Sequence, residues 1–568
     1  MDVTFDKQVT ILLGENNGGK TSVIDALRLA LTTQSGPDGI RLSEDDFYAN
    51  KLECDIESAV EFDGLTDNEA TAIHEALYAE ETAQGCILKG KLTYKAHYNQ
   101  NNNKIRSRVI GGQQDSGIIA SNVFEYIDVT YLKPLRDPGT GLKPGRYSCV
   151  SKHARQVIIE ESKKEIESDL NENRCKVIEH FSDMESMYNR TMQNMIGEIM
   201  SQNIKLSFMP ATFDDLIASI KTILDDKEWA LNGLGYNNIV YMALVMAQHA
   251  QNKDAYNVIL IEEPEAHIHP ILLRSFLKYI KSLCENHNCQ VIITTHSPIL
   301  ASKAKLESIR HISLNEDGKR IAKQITMKDG GDEDIFSLNK FRRKKLERYL
   351  DATRGELFFS KKVMLVEGIA EQIMLPVIAE KLNLKLDEHN ITIINCEGLN
   401  FDAFIPVLSS LNIQSVILTD TDKEKINDES NYLQKLSQAI GDHDYIRISK
   451  TPVTFEHALF QKEKIYKLSE SVGKKLHPRA YATMQKAKSP SLSNNNINTN
   501  KPTTDPWTKD NLYNILFKQL STSKGEFAQY LLSELDEARD TANQEIMWAE
   551  CDFPDNIVQS LKWLCGHE

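Results

Sequence analysis

The segment Leu13–Ser22, LGENNGGKTS, places glycines at 14, 18 and 19 directly before Lys20 and Thr21. Such a loop turns successive backbone N–H groups toward an anion, and the helix behind it adds the positive end of its dipole. The chemistry this suits is the holding of a nucleoside triphosphate. Lys20 would reach the outer phosphates and the Thr21 hydroxyl would help hold Mg2+, with Asn16, Gly19 and Ser22 completing the set. A second element, Val258–Glu265 (VILIEEPE), runs four apolar residues into Glu262 and Glu263. A buried strand of this kind delivers acids to a site at its carboxyl end. Glu262 is expected on Mg2+ and Glu263 on the attacking water. A third apolar run, Val291–Thr295, ends in His296-Ser297-Pro298, where the imidazole can contact a γ-phosphate.

Another set of acids lies in the second half. Val363–Val366 leads into Glu367, and Glu371 follows four residues later on the first turn of a helix. Val416–Leu418 leads into Thr419-Asp420-Thr421-Asp422, whose two aspartates share one face of an extended segment. Four hard oxygen ligands at strand ends suit Mg2+ or Mn2+ rather than zinc. His267 and His269 have the spacing of a zinc pair, but they fall in the loop after the acidic strand and are assigned to it. Cys284 and Cys289 would be half of a metal site with no second half.

These residues need strands to carry them, and the sequence supplies them. Val9–Leu13 is apolar and β-branched, and Val23, Ile24, Leu27, Ala30 and Leu31 recur at helical spacing behind the glycines. From His153 to Ile204 the chain has no proline and a single glycine, which predicts a long helix or helical hairpin for dimer contacts. A charged stretch from Lys340 to Arg354 bridges to a new strand, so a domain boundary is expected near residue 355. Residues 490–506 turn to Ser, Asn, Thr and Pro, the composition of a mobile loop. The expected domains are 1–150 and 226–355 for the two parts of a nucleotide-binding domain, 151–225 for a helical insertion, and 356–568 for the domain that carries the second set of acids.

The 568 residues are 41% hydrophobic and 26% charged, ordinary for a globular chain of several domains. No run of eighteen apolar residues is present and the first residues lack an export signal, so no membrane and a cytoplasmic location are expected. Nine scattered cysteines, without a CxxC pair, suit reduced thiols. A net charge of −15 argues against coating nucleic acid through the overall field, but leaves room for a local basic stripe. Residues 461–490 hold such an excess: Lys462, Lys464, Lys467, Lys474, Lys475, Arg479, Lys486 and Lys488. That stretch is either a solvated helix or a wall that tracks DNA phosphates.

LGENNGGKTS, LIEEPEAHIHP and TTHSPIL together resemble the ABC-type ATPase of the SMC/RecF group. Asn232–Asn238, with Gly233 and Gly235, resembles the signature motif of that group, departing from its usual Leu-Ser-Gly-Gly form. The group sandwiches ATP between the phosphate loop of one subunit and the signature loop of another, which implies a homodimer or higher even oligomer. The resemblance normally includes an earlier strand, ending about where this chain starts. The later acids resemble a Toprim domain, and the pair of domains resembles the OLD (overcoming lysogenization defect) nucleases. That resemblance covers nearly the whole chain. It implies an α/β fold: an SMC/RecF-like ATPase domain with a helical dimerisation insertion, then a Rossmann-like Toprim nuclease domain.

It further implies Glu456, in Thr454–Leu459, as a later metal ligand, and Lys524, in Lys524–Ala528, as a cationic stabiliser. The expected activity is metal-dependent DNA cleavage in anti-phage defence, gated by ATP binding and hydrolysis, with Glu263, Glu367, Glu371, Asp420, Asp422 and Lys524 catalytic. Thr21 and Glu262 are expected on the nucleotide's Mg2+. Family members often work with a second component, such as a helicase or a retron reverse transcriptase with its DNA. The alternative is an SMC/RecF-like DNA-structural or repair protein with an inert Toprim half. A primase would usually bring a cysteine-rich zinc module and a topoisomerase a tyrosine-bearing domain, and neither is seen.

Overall fold

The structure, a computed structural model, describes residues 1–33, 39–48, 51–82, 85–113, 121–134, 141–196, 205–207, 211–224, 227–251, 255–286, 288–315, 317–325, 335–422, 431–441, 443–488, 523–538 and 546–566. The chain divides into two compact units. One comprises Lys7–Val9 and Thr21–Thr295; the other comprises Met1–Asp6, Thr10–Lys20 and His296–Glu568.

Strand β1 (Val9–Gly14) is buried at every position, as its apolar run requires, and leads through the glycine loop to α1 (Lys20–Leu31). Within the unit of Thr21–Thr295, β2 (Ile56–Phe62), β3 (Leu77–Thr82), β4 (Gly85–Asn99) and β5 (Lys104–Gly111) form an antiparallel sheet. Tyr94 and Ala96 of β4 share a small core with Leu29 and Ala30 of α1. Strand β6 (Ile127–Leu132) precedes two successive helices, α2 (Glu160–Ile178) and α3 (Ser182–Ile196), joined by one tight turn, Glu179–Phe181. After α4 (Leu234–Gln251) come β7 (Tyr256–Glu262), α5 (Pro270–Asn286) and β8 (Cys289–Thr294). Strand β7 pairs in parallel with both β6 and β8, and six of its seven residues are buried. The α5 face of Leu273, Phe276, Leu277 and Ile280 is buried, the 3.6-residue period legible in the sequence.

In the other unit, β9 (Ile309–Leu314) lies parallel to β1, and β10 (Arg320–Gln324) returns antiparallel beside β9. Helix α6 (Lys340–Tyr349) is capped by Asn339, whose side chain accepts from the Arg342 N–H. A parallel four-stranded sheet follows, built from β11 (Lys362–Val366), β12 (Ile391–Asn395), β13 (Gln414–Asp420) and β14 (Ile446–Thr451). Their spatial order is β12-β11-β13-β14. The connections are α7 (Ile369–Lys381), α8 (Ile405–Leu411) and further helical segments. Helices α9 (Phe455–Phe460), α10 (Glu463–Leu476), α11 (Lys524–Glu537) and α12 (Asp555–Cys565) follow, with a further helix, Pro478–Lys488, after α10. The strand order reverses between β11 and β13, so the crevice at their carboxyl ends is where such a sheet offers a site. Met364, Met374, Phe455, Phe527, Leu531 and Leu561 belong to one buried core. The expected loop at 490–506 lies outside the described residues, as do 197–204 at the end of the expected helical region.

Candidate nucleotide site and metal centre

The phosphate loop is shaped by close approaches. A Cβ at Gly14 would stand 2.2 Å from the Ile312 carbonyl oxygen, so β1 can lie against β9 there only without a side chain. Asn17 and Gly19 both take positive φ, 59° and 107°, the alternation that turns N–H groups to one side. Lys20 is buried and its Nζ donates to the carbonyls of Gly14 (2.9 Å) and Glu15 (2.8 Å). The Glu15 carboxylate is 3.3 Å from the Lys361 ammonium. Asn16, Thr21 and Ser22 are exposed at the loop and the start of α1.

Thr21 donates its hydroxyl to Glu262 Oε2 at 3.1 Å, so the first acid of the β7 terminus meets the helix after the glycine loop. Tyr131, on β6, donates to Glu262 Oε1 at 3.0 Å, and Arg28 lies 3.9 Å over the Tyr131 ring. Burial raises the Glu262 carboxyl above its ordinary range against the pull of these two hydroxyls. Sequence reasoning missed Tyr131; only the parallel pairing of β6 with β7 brings it to the acid. Glu263 turns the chain at φ 43°, its N–H bound to the Thr294 carbonyl. Gly235 packs where a Cβ would lie 2.0 Å from the His267 carbonyl oxygen, and Asn238 donates to the Ala266 carbonyl. The Gly233–Gly235 segment is thereby seated on the loop after the acidic strand, which also holds His267 and His269. His296 stacks on Phe359, ring centroids 6.4 Å apart.

The second set converges more tightly. Glu367, at the end of β11, accepts from the Thr419 hydroxyl (2.5 Å) and the Asp420 N–H (2.8 Å) at the end of β13. Glu371 sits on the first turn of α7, with Gly368 as N-cap. Glu456, on α9, is 1% exposed, and neither of its carboxylate oxygens accepts an aligned hydrogen bond among the described residues. The ammonium of Lys524, at the start of α11, is 3.2 Å from Glu456 Oε2 and 3.9 Å from Asp420 Oδ2. Gly525 lets that first turn close on α7, since a Cβ there would come 3.3 Å from Ile369. Asp422 differs from the others. It is exposed at φ 55°, with its N–H on the Val453 carbonyl, at the rim rather than in the cluster.

Burial and mutual repulsion govern the electrostatics of the cluster. Burial first, then the neighbouring carboxylates, raises Asp420 well above the ordinary aspartate range, and burial raises Glu367. Glu371 is pushed up to about 7, chiefly by burial, with Glu456 and Glu367 adding. Burial pulls Lys524 down, but Glu456 and Asp420 outweigh it and the net shift is upward. Among the described residues no three His, Cys, Asp or Glu side chains are already drawn into metal-ligating geometry. Acids held this close repel one another, and the lysine is the counter-ion at hand. The donor set nevertheless fits divalent cations: all-oxygen, buried, and with Glu456 lacking aligned donors.

The 461–490 stretch is largely neutralised. Lys462 pairs with Asp555, Lys464 with Asp552, Lys467 with Glu463 and Lys475 with Glu534, each within 3.1 Å. Four of its six cations with described side chains thus pair with acids.

An ATPase joined to a carboxylate-bearing parallel sheet is the class that fold and sites define. The model of the AAA ATPase domain family matches residues 145–301, and that of the overcoming lysogenization defect protein-like TOPRIM domain matches 358–422. The Old nuclease of Escherichia phage P2 is 24% identical over 452 residues, 73% of each chain. The OLD nuclease of Thermus scotoductus is 26% identical over 35% of this chain and 37% of its own, so the match spans little more than a third of that relative. Endonuclease GajA of Bacillus cereus is 28% identical over 37% of this chain and 33% of its own. Among solved structures, the C-terminal region of the Xanthomonas campestris pv. campestris OLD protein is 24% identical, covering 37% of this chain and 95% of that one, with a TM-score of 0.26. The chain carries a match to an AAA ATPase domain followed by a match to an OLD-like TOPRIM domain, and it is similar to the OLD nucleases.

Proposed function

We propose that this chain is an ATP-binding, Mg2+- or Mn2+-dependent DNA endonuclease of anti-phage defence, working as a homodimer or higher even oligomer. The observation that carries the reading is the meeting of half-buried Glu367 with buried Asp420, Glu371 and Glu456 at the β11–β13 edge, with the Lys524 ammonium beside Glu456 and Asp420. Relatives named as nucleases and an endonuclease support it. Glu367, Glu371, Asp420, Asp422 and Glu456 would hold the divalent cations. When bound, the cations supply an activated water and neutralise charge on the leaving oxygen. Thr419 and the Asp420 N–H orient Glu367, and Lys524 neutralises charge growing on the scissile phosphate.

In the ATPase part, Asn16, Gly19, Lys20, Thr21 and Ser22 would hold the phosphates, with Gly233, Gly235 and His296 completing the nucleotide contacts. Thr21 and Glu262 would hold Mg2+, and Glu263 would polarise the attacking water. ATP acts here as a gate on cleavage. The proposed organisation is an ATPase at 1–150 and 226–355, a dimerising insertion at 151–225 and the nuclease at 356–568. The insertion exposes Val177, Phe181, Met184 and Tyr188, spaced four, three and four residues apart, the apolar seam of a helix that pairs with another. A second defence component, a helicase or a retron reverse transcriptase with its DNA, is part of the proposal.

Supercoiled plasmid with Mg2+ or Mn2+ tests the reading. Asp420→Ala and Glu367→Ala should each leave less than a tenth of wild-type cleavage while binding ATP normally. Lys20→Ala and Glu263→Gln, which respectively lose ATP and retain it unhydrolysed, should shift cleavage in opposite directions. Plasmid left intact by the wild-type protein, with ATP still hydrolysed, would make the chain an SMC/RecF-like DNA-structural protein instead.

A further inference from the structure

Helix α6 carries six cations among ten residues, KFRRKKLERY, and they divide into two groups. Three are used by the fold. Arg342 is buried and donates to the Ser337 carbonyl, Arg343 pairs with Glu307 and Glu347, and Lys345 pairs with Asp402 at 2.7 Å. The other three, Lys340, Lys344 and Arg348, are exposed, and none pairs with an acid among the described residues. Spaced four residues apart, they follow one face of the helix over roughly 12 Å, at 1.5 Å per residue. Phe341, 71% exposed, stands beside them on the same side. The chain as a whole carries a net charge of −15.

Its position is tied to the metal-binding edge through short links. Lys345 holds Asp402, in the turn after β12. In that same connection the Gly398 N–H donates to the Glu367 carbonyl at 2.7 Å. Arg354, just beyond α6, donates to the Asn395 carbonyl and pairs with Glu397. The helix is thus anchored on the connection after β12, which hydrogen-bonds the backbone at Glu367, and Lys340, Lys344 and Arg348 are exposed.

We infer that the outer face of α6 docks the phosphate backbone of duplex DNA and leads it to the Glu367–Asp420 edge. The inference rests on the nuclease reading and names the surface that reading requires. Charge complementarity selects the occupant: duplex DNA carries one negative charge per roughly 1.7 Å of axis, so a 12 Å basic face meets several phosphates. The contact reads backbone and not bases.

The test is the salt dependence of binding to two duplexes of unrelated sequence, followed by fluorescence anisotropy. Each phosphate contact contributes about 0.9 to the slope of log K against log salt. The variant with Lys340→Gln, Lys344→Gln and Arg348→Gln should lower the slope by about two to three on both duplexes alike. Lys344→Glu alone should weaken binding in the same sense, and both proteins should hydrolyse ATP without DNA at the wild-type rate. An unchanged slope in both variants, with wild-type protein still cutting plasmid, would overturn the α6 surface and leave the nuclease reading standing. Wild-type protein that neither binds duplex nor cuts it would overturn both.

Discussion

Lys524 is the cation that the carboxylate cluster holds closest. Its ammonium lies 3.2 Å from Glu456, which is 1% exposed, and 3.9 Å from Asp420. At an effective dielectric of about 20, a charge pair at 3.2 Å is worth about 5 kcal/mol. Two factors reduce that. The lysine side chain is 42% exposed and therefore partly screened, and the raised Asp420 carboxyl offers less charge. The expected loss for Lys524→Met is about 2–3 kcal/mol of unfolding free energy, below the roughly 3–5 kcal/mol of a fully buried broken pair. Urea unfolding in chelator at pH 7 measures it. In a Glu456→Gln background the same Lys524 substitution should cost about 1 kcal/mol or less, since the buried charge it balances is gone. Plasmid cleavage by Lys524→Met should fall about a hundredfold or more, as when another preorganised transition-state donor is removed. A stability loss that is the same in both backgrounds would refute the pairing.

Two further outcomes follow from buried groups in the ATPase part. Tyr131→Phe removes a hydroxyl from Glu262 and should weaken Mg2+-dependent ATP binding about tenfold, the loss of one charge-assisted hydrogen bond, with Mg2+-free binding unchanged in a fluorescent-nucleotide titration. His311 is buried beside Lys323 and Lys20, and burial above all lowers its pKa to about 4. A histidine kept neutral in the fold lets the unfolded chain take up the proton first, so stability is lost as pH falls from 6.5 toward 4. That window is worth about 3 kcal/mol, of which about 2 are lost by pH 5. The drop in unfolding free energy between pH 7 and pH 5 should be smaller by that amount in His311→Gln; an equal drop in both proteins would exclude His311 as its source.

Much of this protein is short-range and was legible in the chain itself. The glycine loop stands between an apolar strand and a helix. Glu262, Glu367 and Asp420 each terminate an apolar run, and a buried parallel strand has to end its acids at the sheet's carboxyl edge. Resemblance, not spacing, placed Glu456 and Lys524 in the same set, because their meeting with Asp420 depends on how α9 and α11 pack over the sheet. Tertiary structure alone decided the rest. Tyr131 reaches Glu262 through a strand pairing across more than a hundred residues of chain. Lys462, Lys464 and Lys475, at and on α10, pair with Asp555, Asp552 and Glu534, acids distant in sequence. On α6 the six cations look alike in the sequence, and only burial and ion pairing separate those that hold the fold from those left facing water. Local pattern specifies which side chains a strand or helix carries; where a charge ends up paired depends on which distant elements pack against it.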